Sequence, residues 1–158
     1  MAAEGSGHEL DAPPWLRVEA TLMATARTIR QAYDRRLQPL DLHLSQASLL
    51  SYVAEFGPQP QSRVAERLGL GRAATGSMVD ALEARELVRR RPDPDDRRVW
   101  LVEISGAGKE VVAAIAEVDA QLRSELRAGT SRADRQRLAE VLVRIQANVG
   151  EALDSPGA

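Results

Sequence analysis

Apolar residues recur every three or four positions over much of this chain, a spacing that predicts amphipathic helices. The first long repeat combines large apolar side chains with arginines on the opposite face. Its apolar members are Trp15, Val18, Leu22, Ile29, Tyr33 and Leu37. Pro13 and Pro14 suit the start of this helix, and Pro39 is expected to end it.

Three shorter helices are predicted next. Ser45 is a suitable N-cap for the second helix of the chain, and Gly57 closes that helix. Pro60 fits the first turn of a third helix, and a fourth helix is expected over residues 72–86 after a glycine turn. Two short helices joined by a tight turn are typical of a helix-turn-helix.

A β-hairpin is predicted directly after these helices. Residues 87–91 and 99–103 have the composition of strands, and they flank the Pro/Asp-rich loop 92–98. Ser105 then starts a long helix, and Ser131 with Asp134 forms a capping-box pattern before the last one. The predicted fold is mainly α with a small β-hairpin wing, which is a winged helix-turn-helix.

The apolar stripes of the long helices at both ends exceed what the small central lobe can cover. Burial of these stripes between two copies of the chain predicts a homodimer. We expect a single domain over 15–153, in which both ends form a helical dimerisation region. The predicted segments are a flexible tail at 1–14, dimerisation helices at 15–38 and 105–153, the winged helix-turn-helix lobe at 45–104, and a tail at 154–158.

Composition excludes several functional classes. The 158 residues contain no cysteine and two histidines, so thiolate chemistry is excluded and a metal site is not expected. No apolar run is long enough for a membrane span, and the start lacks a signal-peptide core, which predicts a cytoplasmic protein without a membrane partner. Without a glycine-rich phosphate loop or a nucleophile–histidine pair, we predict no catalytic residues, no cofactor and no enzymatic activity.

Positive charge is concentrated in the predicted lobe. Residues 61–98 carry nine arginines and seven acidic residues, in a chain whose formal net charge is −2. Five of these arginines lie within residues 89–98, on and beside the hairpin. A local basic patch of this kind predicts contact with double-stranded DNA.

The two expected contact elements differ in chemistry. The second helix of a helix-turn-helix enters the major groove, where Arg72 and Ser77 could bond base edges and Ala73 or Ala74 could touch a thymine methyl. Arg72 could instead bind a phosphate. At the hairpin tip, an arginine could enter a narrow minor groove if Asp96 or Asp93 aimed its guanidinium.

Three stretches of this region resemble the MarR family of dimeric winged-helix transcription regulators, over about residues 15–150. The closing Asp96-x-Arg98 unit is the most characteristic short signature of the family. The stretches are Arg63-Val-Ala-Glu-Arg-Leu-Gly-Leu, Met78-Val-Asp-Ala-Leu-Glu-Ala-Arg-Glu-Leu-Val and Arg90-Arg-Pro-Asp-Pro-Asp-Asp-Arg-Arg.

The resemblance implies a dimer with interleaved first, fifth and sixth helices, whose two lobes read a pseudo-palindrome. It also implies that Arg98 is the minor-groove arginine, supported by Asp96, that Arg97 lies near the DNA backbone, and that the start of the third helix touches phosphates. The predicted DNA-binding residues are Gln61, Ser62, Arg72, Ala74, Thr75, Ser77, Asp96, Arg97 and Arg98. Gly71 stands where many members have a Ser or Thr cap, so the operator sequence cannot be transferred.

The resemblance further implies a crevice for a small phenolic or anionic ligand that lowers DNA binding. Each conceivable contact also has a packing or exposed-loop interpretation. The candidate contacts are Trp15, Arg17, Tyr33, His43 and Tyr52. The predicted function is therefore a homodimeric, sequence-specific DNA-binding transcription regulator, most often a repressor. The alternative is a winged-helix protein-interaction module with little DNA binding, because the face formed by residues 73–81 carries few polar groups.

Overall fold

The structure, a computed structural model, describes Pro13 and residues 17–154. It is mainly helical with one small antiparallel sheet, which confirms the predicted fold class. The helices are α1 (Val18–Leu37), α2 (Leu44–Phe56), α3 (Gln61–Leu68), α4 (Arg72–Ala84), α5 (Gly106–Leu126) and α6 (Arg132–Asp154). The strands are β1 (Gln59–Pro60), β2 (Val88–Pro92) and β3 (Trp100–Ile104).

Two compact units make up the chain, one ending at Leu122 and the other beginning at Arg123. Trp15 and most of the predicted first tail lie outside the described residues. At the other end, α6 includes Asp154, where the sequence suggested that a tail begins. Within the second unit, Ser131 and Asp134 form the predicted capping box: the Asp134 carboxylate accepts from the Ser131 amide at 3.0 Å, and the Ser131 hydroxyl accepts from the Asp134 amide at 3.1 Å.

The start of α2 corrects the prediction that Ser45 is its cap. His43 is the N-cap residue, and its Nδ1 accepts a hydrogen bond from the Gln46 amide at 3.4 Å. Gln46 returns the bond, because its Oε1 accepts from the His43 amide at 3.1 Å. Ser45 lies inside the first turn, where its hydroxyl accepts from Arg30. Histidine thus takes the place of the usual Ser or Thr, and Gln46 stands at the Glu/Gln position of a capping box.

The sheet has the strand order β1–β3–β2, and all its pairs are antiparallel. The short strand β1 was not predicted, and Pro60 belongs to it and caps α3, so Pro60 does not lie in the first helical turn. A proline is tolerated there because β1 is an edge strand and needs no donor on its outer side. The hairpin itself is confirmed, with each strand one residue further along than expected.

Helix α4 ends two residues earlier than predicted, and the hairpin begins one residue later. Helix α4 ends at Ala84, and Glu86 adopts a left-handed conformation with φ of +57°. This reversal sends the chain into β2. The hydrophobic core of the first unit lies between α2, α3, α4 and the sheet. Its fully buried members include Leu49, Leu50, Val53, Val64, Val79, Leu82 and Val102.

The first turn of α5 packs directly against the entry to β2. A side chain at Gly108 would collide with the backbone carbonyl of Leu87. Ser105 anchors this turn, as its hydroxyl donates to the Glu86 carbonyl at 2.6 Å and accepts from the Gly108 amide at 2.9 Å. The predicted start of this helix at Ser105 is therefore confirmed, and the helix is attached firmly to the base of the hairpin.

Candidate nucleic-acid interface

Helix α4 presents a small and largely non-polar surface to solvent. Gly71 is its N-cap, and no side chain caps the helix, so its first amides can bond a phosphate. Arg72 is exposed at this end, and Ser77 is exposed one turn further, as predicted from the sequence. The other exposed residues of this face are Ala73, Ala74, Asp80 and Ala81. The solvent-facing surface of α4 thus offers few polar groups.

Thr75 contradicts the expectation that it contacts DNA. Its side chain is fully buried, and its hydroxyl donates to the Gly71 carbonyl at 3.0 Å. A buried hydroxyl that is already bonded within its own helix cannot reach a base edge. Thr75 instead joins Val79 and Leu82 on the face of α4 that packs in the core.

The start of α3 places the two predicted phosphate contacts in different surroundings. Ser62 is exposed, and it lines a surface depression together with Arg63 and Arg72. Gln61 is half-buried and turns toward α4, where its amide nitrogen lies 3.3 Å from the position that a Cβ at Gly76 would occupy. A side chain at position 76 would therefore require a small shift of the Gln61 amide. Arg63, which sequence reasoning left out of the site, is a second cation beside Arg72 on this surface.

The hairpin tip carries the predicted pair of Asp96 and Arg98. The Arg98 guanidinium donates from Nε to Asp96 Oδ1 at 3.0 Å and from Nη2 to Oδ2 at 2.9 Å. The Arg98 amide also donates to Asp96 Oδ1, at 3.1 Å. These bonds lower the pKa of Asp96 and raise that of Arg98. Asp93, the other candidate partner, accepts from the Asp95 amide instead.

Arg98 is directed outward although it is paired. Its side chain is 90% exposed, and the exposed Arg97 precedes it. A guanidinium has five N–H donors, so bidentate pairing with Asp96 leaves others for DNA. The tip therefore presents an oriented arginine in solvent, as the sequence predicted.

In addition to Arg98 at the tip, three of the five clustered arginines form ion pairs within the protein. Arg89 and Arg91 both approach the Glu103 carboxylate across the hairpin, at 2.8 and 3.5 Å. Arg90 pairs with Asp80 and Glu83 of α4, each at 2.6 Å. Counting charges along the sequence therefore overstated the charge that can face DNA. The spacing of the two α4 carboxylates, three residues apart, was the signal that they share one helix face.

A cavity of about 680 Å³ lies between α1, α2 and α5. Its polar lining is formed by Tyr33, Ser48, Ser51, Glu55 and Asp119, and its other lining residues are apolar. The Tyr33 hydroxyl donates to Asp119 Oδ1 at 2.7 Å. Tyr33 is thus the one predicted ligand contact that the described residues place in this cavity.

The other described candidates have different positions. His43 is occupied as the cap of α2, and Tyr52 packs against the core with its ring 4.9 Å from that of Phe56. Arg17 precedes α1 as its N-cap residue and does not line the cavity. None of these three residues lines the cavity, and a ligand contact by Arg17, His43 or Tyr52 stays a prediction.

Two further features are absent from the part of the chain that the structure describes. No group of three or more His, Cys, Asp or Glu side chains in residues 17–154 is arranged to hold a metal ion. No helix in this part of the chain is long and apolar enough to cross a membrane.

Comparison with known proteins agrees with this geometry. The sequence profile of the MarR family matches residues 42–100, which extend from the start of α2 into β3. The transcriptional regulator YhbI of Bacillus subtilis is 33% identical over 76 residues, and this match covers 48% of the chain and about half (49%) of YhbI. The HTH-type transcriptional repressor NicR of Pseudomonas putida is 31% identical over 109 residues, covering 65% of the chain and 68% of NicR.

A solved structure extends the likeness over most of the chain. The transcriptional regulator BldR of Sulfolobus solfataricus superposes with a TM-score of 0.74 at 30% identity, covering 83% of this chain and 93% of BldR. The chain therefore belongs to the MarR family of transcriptional regulators, which are DNA-binding proteins rather than enzymes.

Proposed function

We propose that this chain is a homodimeric, sequence-specific repressor that binds a pseudo-palindromic operator. Helix α4 would enter the major groove, and the hairpin tip would reach the adjacent minor groove. The observation that carries this proposal is the outward-facing Arg98 held by Asp96 at 2.9–3.0 Å. As a protein that acts on DNA, it would function in the cytoplasm.

The Asp96–Arg98 pair supports minor-groove binding because it removes a cost of recognition. A free arginine side chain loses about 2 kcal/mol of rotamer entropy when it is fixed, and a planar, pre-aimed guanidinium loses less. The narrow minor groove of A-tracts has an enhanced negative potential that attracts such a cation. Specificity would then rest largely on DNA shape, since α4 offers few groups for base edges.

Phosphate contacts would orient the lobe. The uncapped amides at the start of α4 and the exposed Arg72, Ser62 and Arg63 form one continuous surface around the depression between α3 and α4. Contacts of this kind position a protein on the duplex and carry no sequence information of their own. Arg97 would add a further backbone contact beside Arg98.

Exposed apolar side chains support the homodimer. Helix α6 has no buried residue, and several of its large apolar side chains are exposed. They are Leu138, Val141, Val143, Val149 and Leu153. Burial of this surface against a second copy would remove it from water. The two recognition helices would then have to meet half-sites about 34 Å apart.

We further propose that the chain represses transcription and that a small effector releases it from DNA. NicR, which is 31% identical, is a repressor. The cavity beside Tyr33 would hold the effector, and its ionisable lining includes the carboxyl groups of Glu55 and Asp119. No Lys, Arg or His side chain within the described chain lines it. A neutral phenolic molecule therefore suits this cavity better than an anion, because an anion would lie near carboxylates.

Selection of bound duplexes from a random library tests the proposal. The full chain should enrich a pseudo-palindrome, bind it as a dimer by light scattering, and lose affinity steeply as salt rises, as phosphate contacts require. The protein-interaction alternative predicts no enrichment, no salt-dependent binding and recovery of a protein partner. That result from a folded dimer would refute a DNA-binding role.

A further inference from the structure

The base of the hairpin is joined to the recognition helix by one side chain. The Arg90 guanidinium lies between β2 and α4, with Nη1 2.6 Å from Glu83 Oε2 and Nη2 2.6 Å from Asp80 Oδ1. The Arg90 amide donates to the other Glu83 oxygen, at 2.7 Å. Backbone and side chain of one β2 residue thus hold the same α4 carboxylate.

The same guanidinium also reaches the start of α3. Its Nη2 group donates to Gln61 Oε1 at 3.3 Å and lies 3.5 Å from the carbonyl oxygen of Gly76. Arg90 therefore contacts α3 and α4 from its own strand. Helices α3 and α4 form the helix-turn-helix, so one side chain of the wing contacts both of its helices.

We propose that Arg90 is a positioning residue for DNA recognition, which sets the wing relative to α4 so that both reach one operator together. This inference rests on the proposed DNA-binding function. Arg98 lies at the far end of the hairpin that Arg90 anchors. At about 3.3 Å per residue the tip is roughly 16 Å from Arg90, so a tilt of about 5° at the base moves the tip by about 1.5 Å.

Burial separates Arg90 from a direct DNA contact. Its side chain is 23% exposed, whereas the side chain of Arg89, the preceding residue of β2, is 68% exposed. Burial disfavours the charge of Arg90, but the hydrogen bonds and charges of Asp80 and Glu83 outweigh it and raise the pKa of Arg90. The guanidinium is thus charged, turned inward and occupied by protein acceptors.

The position of Asp80 gives Arg90 a second effect on binding. Asp80 is 68% exposed on α4, on the face that also carries Ser77. A lone carboxylate there would repel DNA phosphates if α4 entered the major groove. Pairing with Arg90 neutralises it, so Asp80 can hold the wing without opposing the DNA.

The experiment measures the affinity of full-length variants for two duplexes by fluorescence anisotropy. One duplex is the sequence that the wild-type protein selects from a random library, and the other is a scrambled duplex of the same length and composition. The variants are Arg90→Met, Arg90→Lys and Asp80→Asn, with Arg89→Met as the control that removes one cation from the adjacent position. A salt series is recorded for each, and circular dichroism checks folding.

Arg90→Met should weaken binding to the selected duplex by about tenfold and to the scrambled duplex by less than about threefold, as loss of a network coupling predicts. Its salt slope should match that of the wild type. The ratio of the affinities for the selected and the scrambled duplex measures specificity. Arg90→Lys should restore only part of this ratio, because an ammonium lacks the planar fork of a guanidinium. Arg89→Met should leave the ratio unchanged.

Asp80→Asn is the decisive variant if Arg90→Met does not fold. Removing a carboxylate near DNA should strengthen binding to both duplexes if only charge matters. If Asp80 helps Arg90 to position the wing, the ratio of the affinities for the selected and the scrambled duplex should instead fall by about threefold. An unchanged ratio in Asp80→Asn, or equal losses on both duplexes with a salt slope reduced by about one in Arg90→Met, would overturn the inference. Wild-type protein that binds both duplexes equally would refute the proposed function as well.

Discussion

The tip and the base of the wing both pair an arginine with carboxylates, yet the two pairings have different consequences. At the tip, Asp96 and Arg98 are two residues apart, and the arginine is 90% exposed. At the base, Arg90 is seven and ten residues from Glu83 and Asp80, and it is 23% exposed. The tip pair is local to one loop, whereas the base pair joins a strand to a helix.

The effect of an ion pair depends on its exposure and on whether it joins two elements of the fold. An exposed local pair adds little to stability, because solvent screens it and the chain already holds its members together. It can nevertheless aim a side chain at a partner. A half-buried pair between two elements restricts how those elements move against each other. An arginine–carboxylate pair can therefore orient a side chain for binding at the tip, and fix the position of the wing relative to α4 at the base.

The largest expected effect is on DNA affinity at the tip. Arg98→Ala should weaken binding to the selected duplex by roughly tenfold, because it removes a charge-assisted contact in the minor groove. Arg89→Ala, which removes a similar charge at the base, should change affinity far less. Anisotropy titrations of both variants check this. Equal losses in the two variants would mean that total charge matters and the aimed guanidinium does not.

The second prediction concerns stability, where we expect the larger effect at the base of the wing and the smaller one at the tip. Arg90→Met should lower the free energy of unfolding by about 1–2 kcal/mol, because it leaves Glu83 and Gln61 without their partner. Loss of the pair with Asp80 should add little to this, because Asp80 is exposed and solvent screens its charge. Arg98→Met should not change it measurably. Urea denaturation of the DNA-free proteins compares them. A larger loss in Arg98→Met would contradict the comparison.

A third prediction tests whether Asp96 acts by orienting the Arg98 guanidinium or by its own negative charge. Asp96→Asn removes a negative charge beside DNA but weakens the bidentate hold on Arg98. We expect its affinity for the selected duplex to fall a few-fold, by less than in Arg98→Ala. Asp95→Asn, which removes an exposed carboxylate from the same loop, is the matched control. Tighter binding by Asp96→Asn would show that Asp96 acts through its charge alone.

The smallest expected effect is a titration. Hydrogen bonds from the Arg98 side chain and amide hold the pKa of Asp96 below its ordinary value. The pair therefore stabilises the folded hairpin above the ordinary aspartate pKa, and this contribution is lost as the pH falls through the lowered one. Carboxyl NMR titration should show the pKa of Asp96 rising toward its ordinary value in Arg98→Ala. An unchanged titration would mean that the pair does not form in solution.

Local features of this protein were predictable because their causes lie within a few residues. The Asp96–Arg98 pair, the glycine at the end of α2 and the Ser131–Asp134 box each depend on neighbours in the sequence, and all are present. The cap of α2 was predicted wrongly because His43 is an uncommon cap, although Gln46 follows three residues later as a capping box requires.

Features that depend on packing between elements were not predictable in this way. Thr75 shares a short polar character with Ser77, but the two lie on opposite sides of α4, and only Ser77 is exposed. Likewise, the charge count placed Arg89, Arg90 and Arg91 in one basic patch, whereas carboxylates from α4 and β3 pair with all three.

The order of the helices, the hairpin and the resemblance to the MarR family could be read from the sequence, because periodicity, turns and local caps act over a few residues. The Asp96–Arg98 pair belongs with them, since its members are two residues apart. The partners of Arg90 became known only from the tertiary structure. Arg90 joins β2 to α4 because folding places its guanidinium beside Asp80 and Glu83, which are ten and seven residues away in the sequence.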